Sequence, residues 1–244
     1  MRRRLQPFSD MQETTMANGT LSAEEPLFQR IRTELFSAVL GDVMDAIGLT
    51  RQFLPPEIRA LVPEMVVAGR AMTVQEADCA VDAGVSSGAK PFGLMFEALD
   101  SLKPGEIYIC TGSSPTYALW GGLMSTRART LGATAAVLDG YHRDTREILQ
   151  LGFPVFSAGS YAQDQRVRGR VIDFRCPIQF RNGCRVETGD LIVGDVDGVV
   201  VVPAAREQEV LAAAFAKVRG ESEVRDMILA GESTTAIFAK TGIM

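Results

Sequence analysis

The sequence predicts an α/β fold with a mixed sheet, and three patterns carry that expectation. Between Ile107 and Phe156, strand-like apolar runs alternate with helical ones: Ile107–Cys110, a helix from Leu119 to Leu131, Ala135–Leu138, a helix from Thr145 to Leu151, and Phe153–Phe156. Alternation of this kind implies parallel pairing through right-handed crossovers. From Val171 to Val202 the apolar period changes to two, and Asn182-Gly183 between Ile178–Phe180 and Cys184–Val186 is a strong hairpin signal. Ala204–Ala230 then reads as one long amphipathic helix, liable to fray at Gly220.

Residues 1–24 are polar and without a usable period. Arg2, Arg3 and Arg4 are followed by no apolar core, so this is not a signal peptide; it reads as a disordered arm or as an over-extended start, since Met11 and Met16 could each begin a shorter chain. A single domain is expected over 25–231, with 232–244 as a tail. Phe28, Ile31, Leu35, Val39, Val43 and Ile47 keep helical spacing, broken at Ser37 or Gly41 into two short helices, and Gly48 closes the run. Pro55-Pro56 marks a loop. Met65–Val74 alternates as strand, bending at Gly69. Residues 83–91 read as loop, Phe92–Leu99 as helix and Lys103–Glu106 as turn. Glu187–Asp190 forms a second turn, and Val199–Val202 a fully buried strand. Asp195 and Asp197 serve as turn formers before it.

Composition removes several functions. The chain has 244 residues and a net charge of −5, and its only lysines are Lys90, Lys103, Lys217 and Lys240. A nucleic-acid surface needs clustered basic residues, so no nucleic-acid partner is expected. No apolar run approaches the roughly 20 residues that span a bilayer, so no membrane partner is expected either. Cys79, Cys110, Cys176 and Cys184 form no CxxC pair and read as reduced thiols of a cytoplasmic protein. One histidine cannot build a His₃ or His₂-carboxylate zinc site. There is no G-x-S-x-G elbow, no G-x-G-x-x-G after a strand, and no lysine placed for a Schiff base.

What survives is oxygen-ligand metal chemistry at Trp120-Gly121-Gly122-Leu123-Met124 and Val137-Leu138-Asp139-Gly140-Tyr141-His142-Arg143-Asp144. A glycine-opened helix offers free N–H groups to an anion. Arg143 offers a planar fork to a carboxylate, and Asp144 offers a hard oxygen to Mg²⁺ or Mn²⁺. The pair falls at the carboxyl end of a strand, where ligands of open α/β sheets sit. Plainer readings stand beside these. Asp144-Thr145-Arg146-Glu147 has the form of a capping box, Arg143 suits a surface ion pair, and His142 suits a hydrogen-bonded structural group. Gly121-Gly122 suits tight helix packing.

Gly121-x-Leu123-Met124, Asp139-Gly140-x-x-Arg143-Asp144, Gly152-Phe153-Pro154-Val155-Phe156, Gly189–Val193 and Asp197–Pro203, in that order, resemble the RraA-like family over about residues 30–232. That family holds class II pyruvate aldolases acting on 4-hydroxy-4-methyl-2-oxoglutarate, which also decarboxylate oxaloacetate, and a protein inhibitor of ribonuclease E. The resemblance implies a three-layer β/β/α (swivelling-domain-like) fold with mixed sheets, and a homotrimer or dimer of trimers with sites between subunits. It implies Asp144 as the metal ligand and Arg143 on the carboxylate of a small 2-oxo acid. Backbone N–H groups of Gly121, Gly122, Leu123 and Met124 would hold the pyruvyl oxygens. A glutamate of the C-terminal helix, Glu221 or failing it Glu223, would reach a neighbour's site through water. The implied activity is metal-dependent retro-aldol cleavage or oxaloacetate decarboxylation giving pyruvate; the alternative is a non-catalytic ribonuclease E inhibitor-like protein. One position departs: the aldolases carry Asp or Glu after the first glycine of the helix opening, where this chain has Gly122. An outer carboxylate of that kind contributes about 10–100-fold in metal affinity or activity.

Overall fold

A computed structural model describes residues 22–79 and 90–243. The loop expected at 83–91 therefore lies largely outside the described residues, as does the arm up to residue 21. Residues 22–24 are held in place: Glu24 forms an ion pair with Arg70, whose guanidinium also meets Glu207.

The two helices expected from the first apolar period are α1 (Glu25–Glu34) and α2 (Ser37–Ala46). They break at extended Leu35 and Phe36, with Gly41 inside α2. Asp195 explains the position of the break, because its two oxygens accept from Ser37 N–H and Oγ at 2.7 Å each. After β1 (Arg59–Ala60) comes β2 (Val67–Asp78), a twelve-residue strand that does not bend at Gly69. A methyl group on Gly69 would lie 2.6 Å from the Gly105 carbonyl oxygen, so close packing selects this glycine. Helix α3 (Met95–Asp100) and strand β3 (Glu106–Thr111) follow. Leu119-Trp120, expected to open a helix, belong instead to β4 (Ala118–Trp120), and α4 spans Gly122–Thr130.

The alternation then runs as expected through β5 (Ala135–Leu138), β6 (Tyr141–His142), α5 (Thr145–Leu151) and β7 (Val155–Ser157). Strand β8 (Gly169–Phe174) precedes the hairpin β9–β10 (Ile178–Gln179 and Arg185–Val186) that turns at Asn182-Gly183. Strands β11 (Leu191–Asp195) and β12 (Gly198–Val202) end the sheet region. After a short 3₁₀ turn, α6 (Glu207–Leu229) continues unbroken through Gly220. The tail contains α7 (Thr234–Thr241), which folds back on α6 with Ile237 fully buried.

The main sheet has the order β1-β7-β5-β3-β2-β11-β12, with β8 on the far half of β2. Strands β2, β3, β5 and β7 are parallel, and the others join antiparallel. Side-chain alternation sends Ala71, Ile107, Ile109, Val137 and Ile192 to one face, beneath Ile178, Phe180 and Val186 of the hairpin. The opposite face divides in two. Met72, Tyr108, Cys110 and Leu138 pack under α3, α4 and α5, while Ala68, Leu191, Val193 and Val200 pack under α1, α2 and α6. Hairpin, sheet and helices are the three layers implied by the resemblance.

One core residue is out of character. Glu76 on β2 is 1% exposed, and burial pushes its carboxyl up to about 8. Its Oε2 accepts from Gln165 Nε2 at 2.6 Å. Its Oε1 and the hydroxyl of buried Tyr108 have no partner among the described residues. The folded state thus keeps a proton that the unfolded chain releases near pH 4.5, so this group's contribution falls as pH rises from there to about 8. Glu76→Gln should remove that dependence. In denaturant titrations the variant should gain on the wild type between pH 5 and pH 9, by on the order of 4 kcal/mol; parallel profiles would contradict a protonated Glu76.

Candidate functional site

Parallel β4 and β6 form a separate two-stranded sheet after the carboxyl ends of β3 and β5, and deliver two chain reversals side by side. Trp120 ends β4 in the core, and its indole N–H donates to Ser125 Oγ at 2.7 Å. This bond holds the first turn of α4 against the strand. The turn before β6 is fixed from below by buried Asp139, which accepts from Thr111 Oγ1 at 2.7 Å and Arg181 Nη1 at 3.1 Å. His142 points inward, with Nδ1 2.7 Å from Ser157 Oγ and Nε2 3.0 Å from Thr145 Oγ1. Burial lowers its pKa. Both ring nitrogens are engaged, which is the structural role.

Arg143 and Asp144 emerge beside the start of α4, with side chains 38% and 44% exposed. Asp144 stands at the N-cap position of α5, but its side chain does not cap the helix. Its backbone is left-handed (φ 59°, ψ 34°) and its side chain makes no capping hydrogen bond to α5. A capping side chain needs extended backbone at that position; here the carboxylate is turned away from the α5 N–H groups. Asp144 Oδ2 accepts instead from Gly122 N–H at 3.1 Å, and Arg143 Nε lies 3.8 Å from the same oxygen. Of the N–H groups expected to hold a ligand, that of Gly122 is therefore already used. Ser125 N–H bonds back to the Gly121 carbonyl, so Leu123 and Met124 N–H precede the first intrahelical bond and face outward.

The carboxylate missing at residue 122 has a counterpart that the sequence reading passed over. A methyl group on Gly122 would lie 2.1 Å from Glu147 Oε2 and 2.3 Å from its carboxyl carbon. Glu147, one turn into α5, thus occupies the space a side chain at 122 would take. The same holds on the other glycine, where a methyl group would meet Asp144 Oδ2 at 2.7 Å. The signal was present: Glu147 is the fourth residue of the apparent capping box, and its spacing from Asp144 serves the ligand face.

Glu221 is placed elsewhere. It sits on α6, 3.8 Å from Lys217 Nζ, over the antiparallel half of the sheet, as does Glu223 on the same helix. One chain does not bring it to Arg143 and Asp144. A separate open cleft of about 640 Å³, lined by Asp78, Tyr117, Tyr141, Tyr161, Gln163 and Arg168, lies along the 160–168 segment and includes neither Arg143 nor Asp144.

Among the described residues no group of three or more His, Cys, Asp or Glu is gathered as a metal cage. The carboxylates of Asp144 and Glu147, each against one of the two glycines that open α4, instead offer hard oxygens. That suits Mg²⁺ or Mn²⁺, which keep waters and take further oxygens from a substrate. The strain at Asp144 gives a direct test. Asp144→Gly should be more stable to unfolding than Asp144→Ala by about 1 kcal/mol in the absence of metal, because both lose the hydrogen bond from Gly122 N–H and only glycine adopts left-handed backbone freely; equal stabilities would contradict a left-handed residue 144.

A family model described as RraA-like, "Aldolase/RraA", matches residues 37–201. A Halalkalibacterium halodurans protein named "Putative 4-hydroxy-4-methyl-2-oxoglutarate aldolase" is 32% identical over 205 residues, covering 84% of this chain and 89% of its own. Among solved structures, an uncharacterized protein from Pseudomonas syringae pv. tomato superposes with a TM-score of 0.76 at 26% identity, covering 91% of this chain and 96% of that one. Streptomyces coelicolor RraAS2, described as an unusual member of the RNase ES inhibitor RraA protein family, superposes with a TM-score of 0.71 at 24% identity, covering 84% and 98%. Motif order, three-layer architecture and these matches agree: the chain belongs to the RraA-like family.

Proposed function

We propose that this protein is a divalent-metal-dependent lyase that releases pyruvate from a small 2-oxo acid, by retro-aldol cleavage of a 4-hydroxy-2-oxo acid or decarboxylation of oxaloacetate. The observation that carries the reading is the convergence of Arg143, Asp144 and Glu147 on the opening of α4. Similarity to the Halalkalibacterium halodurans protein supports the substrate class.

Asp144 and Glu147 are the residues that would hold the metal, Asp144 directly and Glu147 by orienting its water, in place of the carboxylate the aldolases carry at residue 122. A bound divalent ion supplies Lewis-acid polarisation of the keto oxygen. Arg143 grips the C1 carboxylate through its planar fork and fixes the plane of the 2-oxo acid. In oxaloacetate the C3–C4 bond breaks, carbon dioxide leaves, and the electron pair is delocalised toward the C2 oxygen. Leu123 and Met124 N–H groups, with the positive end of α4 behind them, face that developing charge. A proton delivered to C3 completes pyruvate. In this reading Glu221 belongs to a neighbouring subunit's site, in a trimer or dimer of trimers, since its own chain holds it on the other half of the helical layer. Among the described residues no helix is long and apolar enough to cross a membrane; a cytoplasmic location is part of the proposal.

Purified protein with Mg²⁺ should form pyruvate from oxaloacetate in a coupled assay and stop on chelation. Asp144→Asn should lower kcat/KM at least about 100-fold, and Glu147→Gln about 10–100-fold. Gly122→Ala is more diagnostic. It should fold with undiminished stability, because only the flexible end of Glu147 must move, yet lose activity to a degree similar to Glu147→Gln. Absence of pyruvate from oxaloacetate and from 4-hydroxy-2-oxo acids in the wild type would refute the lyase reading in favour of a binding protein.

A further inference from the structure

Arg143 is not held by Asp144 alone. Its Nη1 lies 3.3 Å from Oδ1 of Asp164, closer than the 3.8 Å between Nε and Asp144. Asp164 comes from a segment distant in sequence and built with unusual firmness. Asp164 bridges Ala118 of β4, and the Gln163 carbonyl accepts from Ala118 N–H at 2.8 Å. The Asp164 carbonyl accepts from Arg168 Nη1 at 3.2 Å. The adjacent Gln165 is 2% exposed and donates to the buried Glu76 at 2.6 Å. Val167 adopts φ 68°, a left-handed conformation that β-branched residues avoid and that persists only where surrounding contacts over-determine it. A strained segment pinned into the core by a buried polar pair is an expensive way to place one surface carboxylate.

The use of that carboxylate follows from the shape of the guanidinium. Arginine presents five N–H donors in a rigid plane, and a carboxylate is gripped best by two of them in parallel. Asp164 engages Nη1, whereas Asp144 stands 3.8 Å from Nε, beyond hydrogen-bond distance, so Nε and Nη2 keep their donors for a ligand on the Asp144 side. Without Asp164 the long arginine side chain, more than a third exposed, would sample many rotamers, and binding would have to order it. We propose that Asp164 is a positioning residue for Arg143: it fixes the guanidinium so that the carboxylate of a 2-oxo acid is met by a preformed fork beside Asp144. This rests on the lyase reading for its substrate but not for its test.

The experiment pairs turnover with binding. In the oxaloacetate assay Asp164→Asn should raise KM about tenfold, the upper end of what ordering one long side chain on binding costs, with kcat within about twofold; Asp164→Glu should restore part of the loss. By calorimetry with Mg²⁺ present, oxalate affinity should fall by the same factor, while Mn²⁺ binding without oxalate, read by electron paramagnetic resonance, stays as in the wild type. In an Arg143→Lys background the Asp164→Asn effect should vanish. An unchanged or tighter oxalate affinity in Asp164→Asn would show that Asp164 only competes for Arg143 and would overturn the proposal. So would a loss of Mn²⁺ binding, or an equal effect with lysine at 143. If the wild type makes no pyruvate, the lyase reading falls, and the oxalate titration still decides the role of Asp164.

Discussion

The chemistry of this surface depends on how closely two backbone turns approach. The opening of α4 and the first turn of α5 come together so closely that the carboxylates of Asp144 and Glu147 fill the places that β-carbons at Gly121 and Gly122 would take. The N–H of Gly122 then bonds to Asp144. The negative groups lie at the positive ends of two helices, which lowers the cost of gathering them. The left-handed backbone of Asp144 belongs to the same arrangement, since it turns the side chain across to α4 and away from its own helix.

The fold makes that approach reproducible. Both turns are continuations of the parallel half of the sheet, so register errors are suppressed by a core that buries Tyr108, Trp120 and Leu138 completely or nearly so. The small β4–β6 pair carries the order of the sheet a few residues past its edge. His142 and Asp139, polar and buried, tie the turn to β7, β3 and the hairpin layer with hydrogen bonds that apolar contacts would not direct. Glu76 and Gln165 do the same for the segment that carries Asp164.

Much of the architecture was legible because its causes are local. The hairpin at Asn182-Gly183, the strand Ala135–Leu138 and the helix Thr145–Leu151 follow from turn chemistry and apolar period, and all three are present. Errors cluster where a distant part of the molecule decides. Gly69 looked like a bend and is a contact with Gly105, and the break between α1 and α2 depends on Asp195, more than 150 residues away. Leu119 and Trp120 have helical neighbours in sequence but pair with β6 in space. At the site, Arg143 and Asp144 could be singled out from sequence, whereas Glu147 was hidden under the appearance of a capping box. Asp164 was invisible, because no local pattern links residue 164 to residue 143. The tail's α7 was missed for lack of a long period; it packs on α6 and buries its own Ile237.

The overlap of Glu147 with the space above Gly122 also constrains how such a site can change over generations. A side chain at 122 and the carboxylate of Glu147 compete for one space, so a residue added at 122 displaces the end of Glu147. Adding an acid at 122 first would crowd and repel Glu147; removing Glu147 first would leave the site without either. The two positions are therefore coupled: the effect of an acid at one depends on which residue stands at the other.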